Sequence, residues 1–293
     1  MADPERLEVA DPFRAIAYGG RLAFVGGLHR SGTSIVHRCL ADHPEVSGLH
    51  DTGVPEDEGQ HLQSLYPPAW VHGGPGVFGF SPEAHLDETS PLVSEANARK
   101  LLSEWLPYWD ADRRILVEKS PQNLLQSRFL QALFPSCRFI IVLRHPVAVS
   151  YATQKWTTWA PRLRRLGISN KRLPKIWIHR LIEHWLVCHE RFERDRPHLN
   201  EVLVVRYEDF VANPQERLHE MQAFLGLPPA ELQREVQGGV NDRYWRAWEA
   251  RRSHPLTRFY AQAVVRRLEE RVRRFGYSLL SERVAQRSGG AGA

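Results

Sequence analysis

The sequence predicts an α/β fold in which a central, mostly parallel sheet is covered by helices on both faces. Three observations carry this. Four short runs, Leu22–Val25, Ile115–Val117, Phe139–Leu143 and Val202–Val205, are apolar throughout rather than at alternate positions, as in strands buried on both sides. Between them lie longer stretches with apolar residues three and four apart, the helical period. The first run also ends in a glycine-rich turn that opens directly into a helix, the usual entry to a parallel unit.

Residues 1–20 lack periodicity and read as a short lead-in, and the first strand covers about 21–26. A helix runs from Ser31 to about Ala41 and stops at Asp42-His43-Pro44. Residues 47–90 read as a long irregular insertion, rich in Gly and Pro. Its aromatics Tyr66, Trp70, Phe78 and Phe80 suggest a packed lid, since loops of this length in compact domains are functional or disordered. Helical spacing returns at 91–106 through Leu101, Leu102 and Trp105. The strand at 115–117 gives way to Glu118-Lys119-Ser120-Pro121 and a helix to Phe134; the strand at 139–143 gives way to Arg144-His145-Pro146 and another helix. A basic patch (Arg162, Arg164, Arg165, Lys171, Arg172) precedes an amphipathic helix over about 174–194. Helical spacing places Trp156, Trp159, Trp177 and Trp185 mostly in the core. The strand at 202–205 leads into Arg206-Tyr207-Glu208-Asp209; two short helices and an arginine-rich one (257–275) complete the domain. Residues 21–285 thus read as one domain and 286–293 as a flexible tail.

Composition narrows the class. The chain has 293 residues, 42% of them hydrophobic, enough for a real core. No run approaches the length of a membrane span, and the acidic start Met1-Ala2-Asp3-Pro4-Glu5 is unlike a signal peptide. Cys39, Cys137 and Cys188 are odd in number and far apart, which fits buried free thiols and a cytoplasmic protein. The fourteen histidines show no ligand spacing, so no metal is expected. The net charge of +5, carried largely by arginine, suits an anionic ligand and is equally what a GC-rich coding sequence produces.

In a parallel sheet, ligands bind beyond the carboxyl ends of the strands. Those ends here are the 26–34 loop, Glu118-Lys119-Ser120, Arg144-His145 and Arg206-Tyr207-Glu208-Asp209. The segment Gly27-Leu28-His29-Arg30-Ser31-Gly32-Thr33-Ser34 aims backbone N–H groups and a helix N-terminus at an anion. It nearly fits the P-loop template: Gly27, Gly32 and Ser34 stand correctly, but Thr33 replaces the lysine and the charge has moved to Arg30. A nucleotide kinase also needs Mg²⁺, usually held by an Asp after an apolar strand. The best such strand here ends in Arg144, and Glu118 is followed by Lys119. A sulfuryl group carries less charge than a terminal phosphoryl group, and Lys, Arg and backbone donors can serve its transfer.

At these residues the chain resembles sulfotransferases that use 3′-phosphoadenosine 5′-phosphosulfate (PAPS), with motifs similar to the tyrosyl-protein sulfotransferases, over roughly 20–280. The resemblance rests on the 27–34 loop, Glu118-Lys119-Ser120-Pro121, Phe134-Pro135-Ser136-Cys137-Arg138-Phe139, Arg144-His145-Pro146 and Arg206-Tyr207-Glu208-Asp209-Phe210 in that order. It implies a three-layer, P-loop-NTPase-like fold. It implies that Arg30, Ser31, Gly32, Thr33 and Ser34 hold the 5′-phosphosulfate, that Arg144 holds the 3′-phosphate, and that Tyr207 contacts the nucleotide. The family's second 3′-phosphate residue is a serine eight positions after the arginine. Ala152 stands there, and Ser150 is the nearest substitute. Arg243, Arg246, Arg251 and Arg252 are candidates for the third donor-binding segment. The resemblance implies that Lys119 and Arg30 stabilise charge at the transferred group. A carboxylate of the 50–61 segment would deprotonate the acceptor: Asp51 by position, Glu58 next, with His50, Glu56 and His61 nearby.

The implied reaction moves a sulfuryl group from PAPS, in line and without a metal, to a hydroxyl (less readily an amine) of a small-molecule, glycan or peptidic acceptor, with adenosine 3′,5′-bisphosphate as product. Neither nucleic acid nor membrane is an expected partner. Two alternatives share the loop: a P-loop nucleotide kinase or related phosphotransferase, and a nucleotide-binding module without turnover.

Overall fold

The computed structural model describes residues 11–157 and 175–282. The 162–172 basic patch, Trp159, the first ten residues and the 286–293 tail lie outside them.

A five-stranded sheet built from β1 (Leu22–Gly27), β2 (Val46–Gly48), β3 (Ile115–Lys119), β4 (Arg138–Leu143) and β5 (Val202–Arg206) has the order β2-β3-β1-β4-β5. Every neighbouring pair is parallel. β2 is a difference from the sequence reading, which placed 47–90 wholly in irregular chain. Three residues are too few to register as a strand in sequence, but Val46–Gly48 pairs with Ile115–Val117 and closes one edge. The lead-in differs as well: Pro12–Ala17 forms a helix (α1), capped by the Asp11 carboxylate on the Phe13 N–H at 3.0 Å, with Phe13, Ile16 and Ala17 buried.

The continuous apolar runs are explained by two cores separated by the sheet. Leu22, Phe24, Leu116, Phe139 and Ile141 face one side. There they meet α3 (Glu95–Trp105), α4 (Asn123–Leu133), α6 (Ile178–Asp195) and α10 (Arg258–Arg273). Ala23, Val25, Ile115, Val117, Ile140 and Val142 face the other, against α2 (Thr33–Ala41), α7 (Tyr207–Ala212) and α8 (Pro214–Phe224). Phe24 sits at the centre of the larger core, stacked on Phe139 at 5.6 Å and edge-on to Trp105 at 6.0 Å. α5 (Pro146–Gln154) and α9 (Asp242–Ser253) pack on each other through Ala148, Ala152 and Tyr244.

After β2 the chain is irregular as expected, with single helical turns at Pro55–Asp57, Gly59–His61, Phe78–Phe80 and Pro82–Ala84. Its aromatics are largely packed: Tyr66 meets Phe129 edge-on, and Phe78 lies between His29 and His184. Trp70 faces outward. Of the tryptophans assigned to the core, Trp185 is fully buried, whereas Trp156 and Trp177 are 59% and 58% exposed. Trp156 lies past the end of α5 and Trp177 precedes the first turn of α6, so the helical spacing does not extend to them. The three cysteines are buried and free. No helix among the described residues is long and apolar enough to cross a membrane.

Because Phe24 is enclosed by aromatic neighbours on three elements, Phe24→Ala is expected to lower stability by about 3–5 kcal/mol, measured as a shift in the urea unfolding midpoint.

Candidate active site

β1 delivers the chain into the 27–34 loop at the carboxyl edge of the sheet. α2 then begins at Thr33 with Gly32 as its N-cap, in the left-handed region (φ 104°), and with no side chain capping its first turn. The first-turn N–H groups of a helix have no intrahelical partners. Ser31 is buried, and its Oγ has no hydrogen-bond partner. A buried hydroxyl left without a partner costs about 1–3 kcal/mol, and among the described residues none supplies one here. Gly32 is required both by its φ and by its neighbour: a Cβ there would lie 2.4 Å from the Tyr207 ring.

Tyr207 and Arg144 brace the loop from below. The Arg144 guanidinium lies 4.1 Å from the Tyr207 ring centroid, and its Nη1 donates to the Arg30 carbonyl at 2.8 Å. That contact holds Arg30 in its left-handed conformation (φ 69°). Nε and Nη2 of Arg144 donate to Asn241 Oδ1 at 2.9 and 2.6 Å. Asn241 in turn donates to Glu208 Oε1 at 2.8 Å. Glu208 also accepts from the His145 N–H at 3.0 Å and the Tyr277 hydroxyl at 2.8 Å. Burial lowers the Arg144 pKa, opposed by Tyr207 and Glu208. Asn241 carries no sequence signal: it lies beyond the recognisable motifs and reaches Arg144 only through the fold. Among the C-terminal arginines, Arg243 bonds the Tyr244 hydroxyl at 2.8 Å and Arg252 approaches the Leu280 carbonyl at 3.4 Å.

Ser150 does not join this group. On α5 it shares a face with Val149 and Thr153, and these line a small hollow of about 10 Å³ with Leu28, His29 and His184. Its Oγ is buried and unpartnered. The opposite face, Ala148 and Ala152, meets Tyr244 beside Asn241. The helical period therefore turns position 152 toward Arg144's surroundings and position 150 away.

The second half of the site is built at the end of β3. Lys119 has a side chain only 1% exposed; its Nζ donates to Glu58 Oε1 at 3.1 Å and to the Glu56 carbonyl at 2.7 Å. Glu58, 9% exposed, also accepts from Gln60 Nε2 and has His61 Nε2 at 3.7 Å. Asp51 is placed differently. Its side chain is 99% exposed, with His50 at 3.4 Å, on a left-handed backbone (φ 51°) after β2. The structure brings Glu58, not Asp51, to Lys119. Glu56 bridges the two halves: its carboxylate accepts from Ser34 Oγ at 3.1 Å and lies 3.7 Å from Arg38.

Ser34 and Lys119 open on a groove of about 440 Å³ between α2 and β2, also lined by His37, Arg38, Glu56 and Asp57. Two larger hollows, about 740 Å³ between α9 and α10 and about 790 Å³ beside β5, contain none of these residues. Among the described residues, no three His, Cys, Asp or Glu are arranged to hold a metal ion.

Residues 23–231 match the model of the sulfotransferase family. The chain belongs to that family. It is 28% identical over 210 residues to protein-tyrosine sulfotransferase 2 of Gallus gallus, covering 70% of this chain and 51% of that protein. It is 24% identical over 245 residues to the nodulation protein NoeE of Sinorhizobium fredii, covering 72% and 51%. This sulfotransferase-family chain thus spans about half the length of the curated relatives it matches. Among solved structures it is similar to sulfotransferase STF9 of Mycobacterium avium, with a TM-score of 0.48 and 15% identity, covering 85% of this chain and 76% of that one. It is also similar to a sulfotransferase of Alicyclobacillus acidocaldarius, with a TM-score of 0.45 and 17% identity, covering 86% and 95%.

Four buried histidines set the acid limit of this arrangement. Burial lowers the pKa of His29 and His189 to about 4 and of His37 and His184 to about 3. Between pH 6.5 and 4 the unfolded chain therefore binds protons that the folded one refuses, and stability falls as pH falls. Glu118, raised by burial to about 7, and Glu282, also raised by burial, act in the opposite sense, but against these four histidines and against His61, His145 and His179, which burial also lowers. The urea midpoint is expected to be clearly lower at pH 5 than at pH 7.5.

Proposed function

We propose that this protein transfers a sulfuryl group from PAPS to an acceptor hydroxyl, with Glu58 as the base. The observation that carries the reading is the pairing of a buried Lys119 with Glu58 beside an uncapped helix N-terminus that holds an unpartnered Ser31 hydroxyl. The residues fit the donor. The amides of Gly32, Thr33 and Ser34 and the Ser31 hydroxyl would hold its 5′-phosphosulfate, and Arg144, whose guanidinium keeps two N–H bonds uncommitted after those to Arg30 and Asn241, would hold its 3′-phosphate. Tyr207 supports both by packing under Gly32 and Arg144.

PAPS supplies an activated sulfuryl group when bound. Lys119 and the loop amides stabilise negative charge on the oxygens of the leaving phosphate; fixed donors of this kind are worth about 10²–10³ in rate each. Glu58 accepts the acceptor's proton at its carboxylate, a role worth about 10²–10⁴. Glu56 must withdraw first, because its carboxylate occupies the Ser34 hydroxyl and would face the donor's negative charge. Its left-handed backbone (φ 56°) makes withdrawal less costly. The acceptor is a small molecule, glycan or peptide whose hydroxyl enters through the groove between α2 and β2, and the protein acts in the cytoplasm.

Calorimetry with adenosine 3′,5′-bisphosphate tests the donor site. Micromolar binding without added Mg²⁺ is expected, weakened at least tenfold in Arg144→Ala and tightened several-fold in Glu56→Gln; preference for Mg–ATP would identify a kinase instead. For the base, Glu58→Gln is expected to bind the bisphosphate normally while slowing transfer 10²-fold or more, and full turnover in that variant would return the role to Asp51.

A further inference from the structure

Glu118 is 1% exposed yet takes no part in the chemistry described above. Its Oε1 accepts from the Gly59 N–H at 3.0 Å and from Ser120 Oγ at 2.5 Å, and its Oε2 accepts from Asn123 Nδ2 at 2.5 Å. Ser120 Oγ in turn accepts from the Gln60 N–H at 2.9 Å, and Asn123 Nδ2 also donates to the Val25 carbonyl in β1 at 3.2 Å. The backbone on either side of this grip is equally confined. A Cβ on Gly59 would lie 2.6 Å from the Glu118 carboxylate, and the Gly59 carbonyl accepts from Trp105 Nε1 at 3.0 Å. Gly59 and Gln60 directly follow Glu58, while Glu118 directly precedes Lys119. One carboxylate therefore fixes both chain segments that bear the Glu58–Lys119 pair and ties them to the strand feeding the 27–34 loop.

We infer that Glu118 is a positioning residue for the transfer reaction, acting through Gly59, Ser120 and Gln60 to hold Glu58 against Lys119. This rests on the proposed reading of Glu58 and Lys119, but the grip itself is independent of it. All three groups that bond Glu118 do so as donors, so the carboxylate form is the one they select, while burial raises its pKa to about 7. Opening the grip would return the carboxyl to water and to its ordinary pKa, so protonation favours the closed form and the grip tightens as pH falls below 7. The charged and titratable groups facing Glu118 are Lys119 on its own strand, and Glu58 and Tyr66 from the irregular chain after β2. α4 contributes the neutral Asn123 amide, and His29 and His61 stand beyond Glu58.

The test compares the wild type with Glu118→Gln and Ser120→Ala by amide hydrogen exchange at Gly59 and Gln60 between pH 5.5 and 8.5, alongside bisphosphate binding and release of bisphosphate from PAPS. In the wild type, the Gly59 protection factor is expected to be high throughout and to rise as pH falls through 7. In Glu118→Gln it is expected to be low and flat with pH, with kcat reduced at least tenfold and the donor KM within twofold of wild type. Ser120→Ala, which leaves the carboxyl in place, is expected to lose protection at Gln60 and several-fold in kcat, and it serves if the glutamine variant does not fold. Unchanged protection and kcat would overturn the inference. So would a parallel loss of bisphosphate affinity and kcat, the mark of general loosening. A wild type that binds no bisphosphate would defeat the sulfuryl-transfer reading instead, while the pH-dependent Gly59 protection would still judge the grip.

Discussion

An ammonium group sealed from water must find its counter-charge inside the protein, and the Lys119 side chain is so sealed. The desolvation of such a group is worth several kcal/mol, and here it is met by one carboxylate, Glu58, and one carbonyl, that of Glu56. Much of the irregular chain after β2 is arranged to bring those two acceptors to it. Gly59 and Gln60 are held on Glu118 and Ser120, Trp105 reaches down to the Gly59 carbonyl, and the Ala69 N–H closes on Gln60 Oε1. The insertion thus behaves as part of the site's frame, although it contains few regular elements.

The glycine loop is supported by a separate set of contacts on the other side of β1. Tyr207 can lie under Gly32 only because that residue has no Cβ, and Arg144 can reach the Arg30 carbonyl only because it stacks on the same ring. Asn241, Glu208, His145 and Tyr277 then extend this support to α9 and the chain beyond α10. The loop and the lysine therefore belong to two polar networks, each anchored in a different part of the sheet edge, which meet at Glu56.

What the sequence disclosed follows from where the information lies. β1, β3 and β4 are legible because each is buried on both faces and so reads as an unbroken apolar run, and β5 carries such a run although it is half-buried at the sheet edge. β2 is not, because three residues at an edge carry too little pattern. Thr33, Ser34, Lys119, Arg144 and Tyr207 follow directly from their places after strands. The carboxylate beside Lys119 does not, since irregular chain has no period from which to read a direction: Asp51 turns to solvent and Glu58 turns inward. Ser150 was legible as a hydroxyl near Arg144 in sequence, but the helical turn directs it to a different cavity. Asn241 acts through a contact spanning 97 residues of sequence and Glu118 through one spanning 59, which no local pattern records.

The carboxylate of Glu56 on the Ser34 hydroxyl gives the loop an anion of its own. Being tethered, it competes at an effective concentration on the order of millimolar, whatever is dissolved around the protein. Simple anions such as chloride or inorganic phosphate must outbid it with one point of attachment. On the proposed reading, a donor whose second anionic group reaches Arg144 would displace it by binding at two points, so the spacing of charges would be discriminated before any base or acceptor is read. On that reading the same carboxylate would return as product leaves, and the site would reset without help from solution.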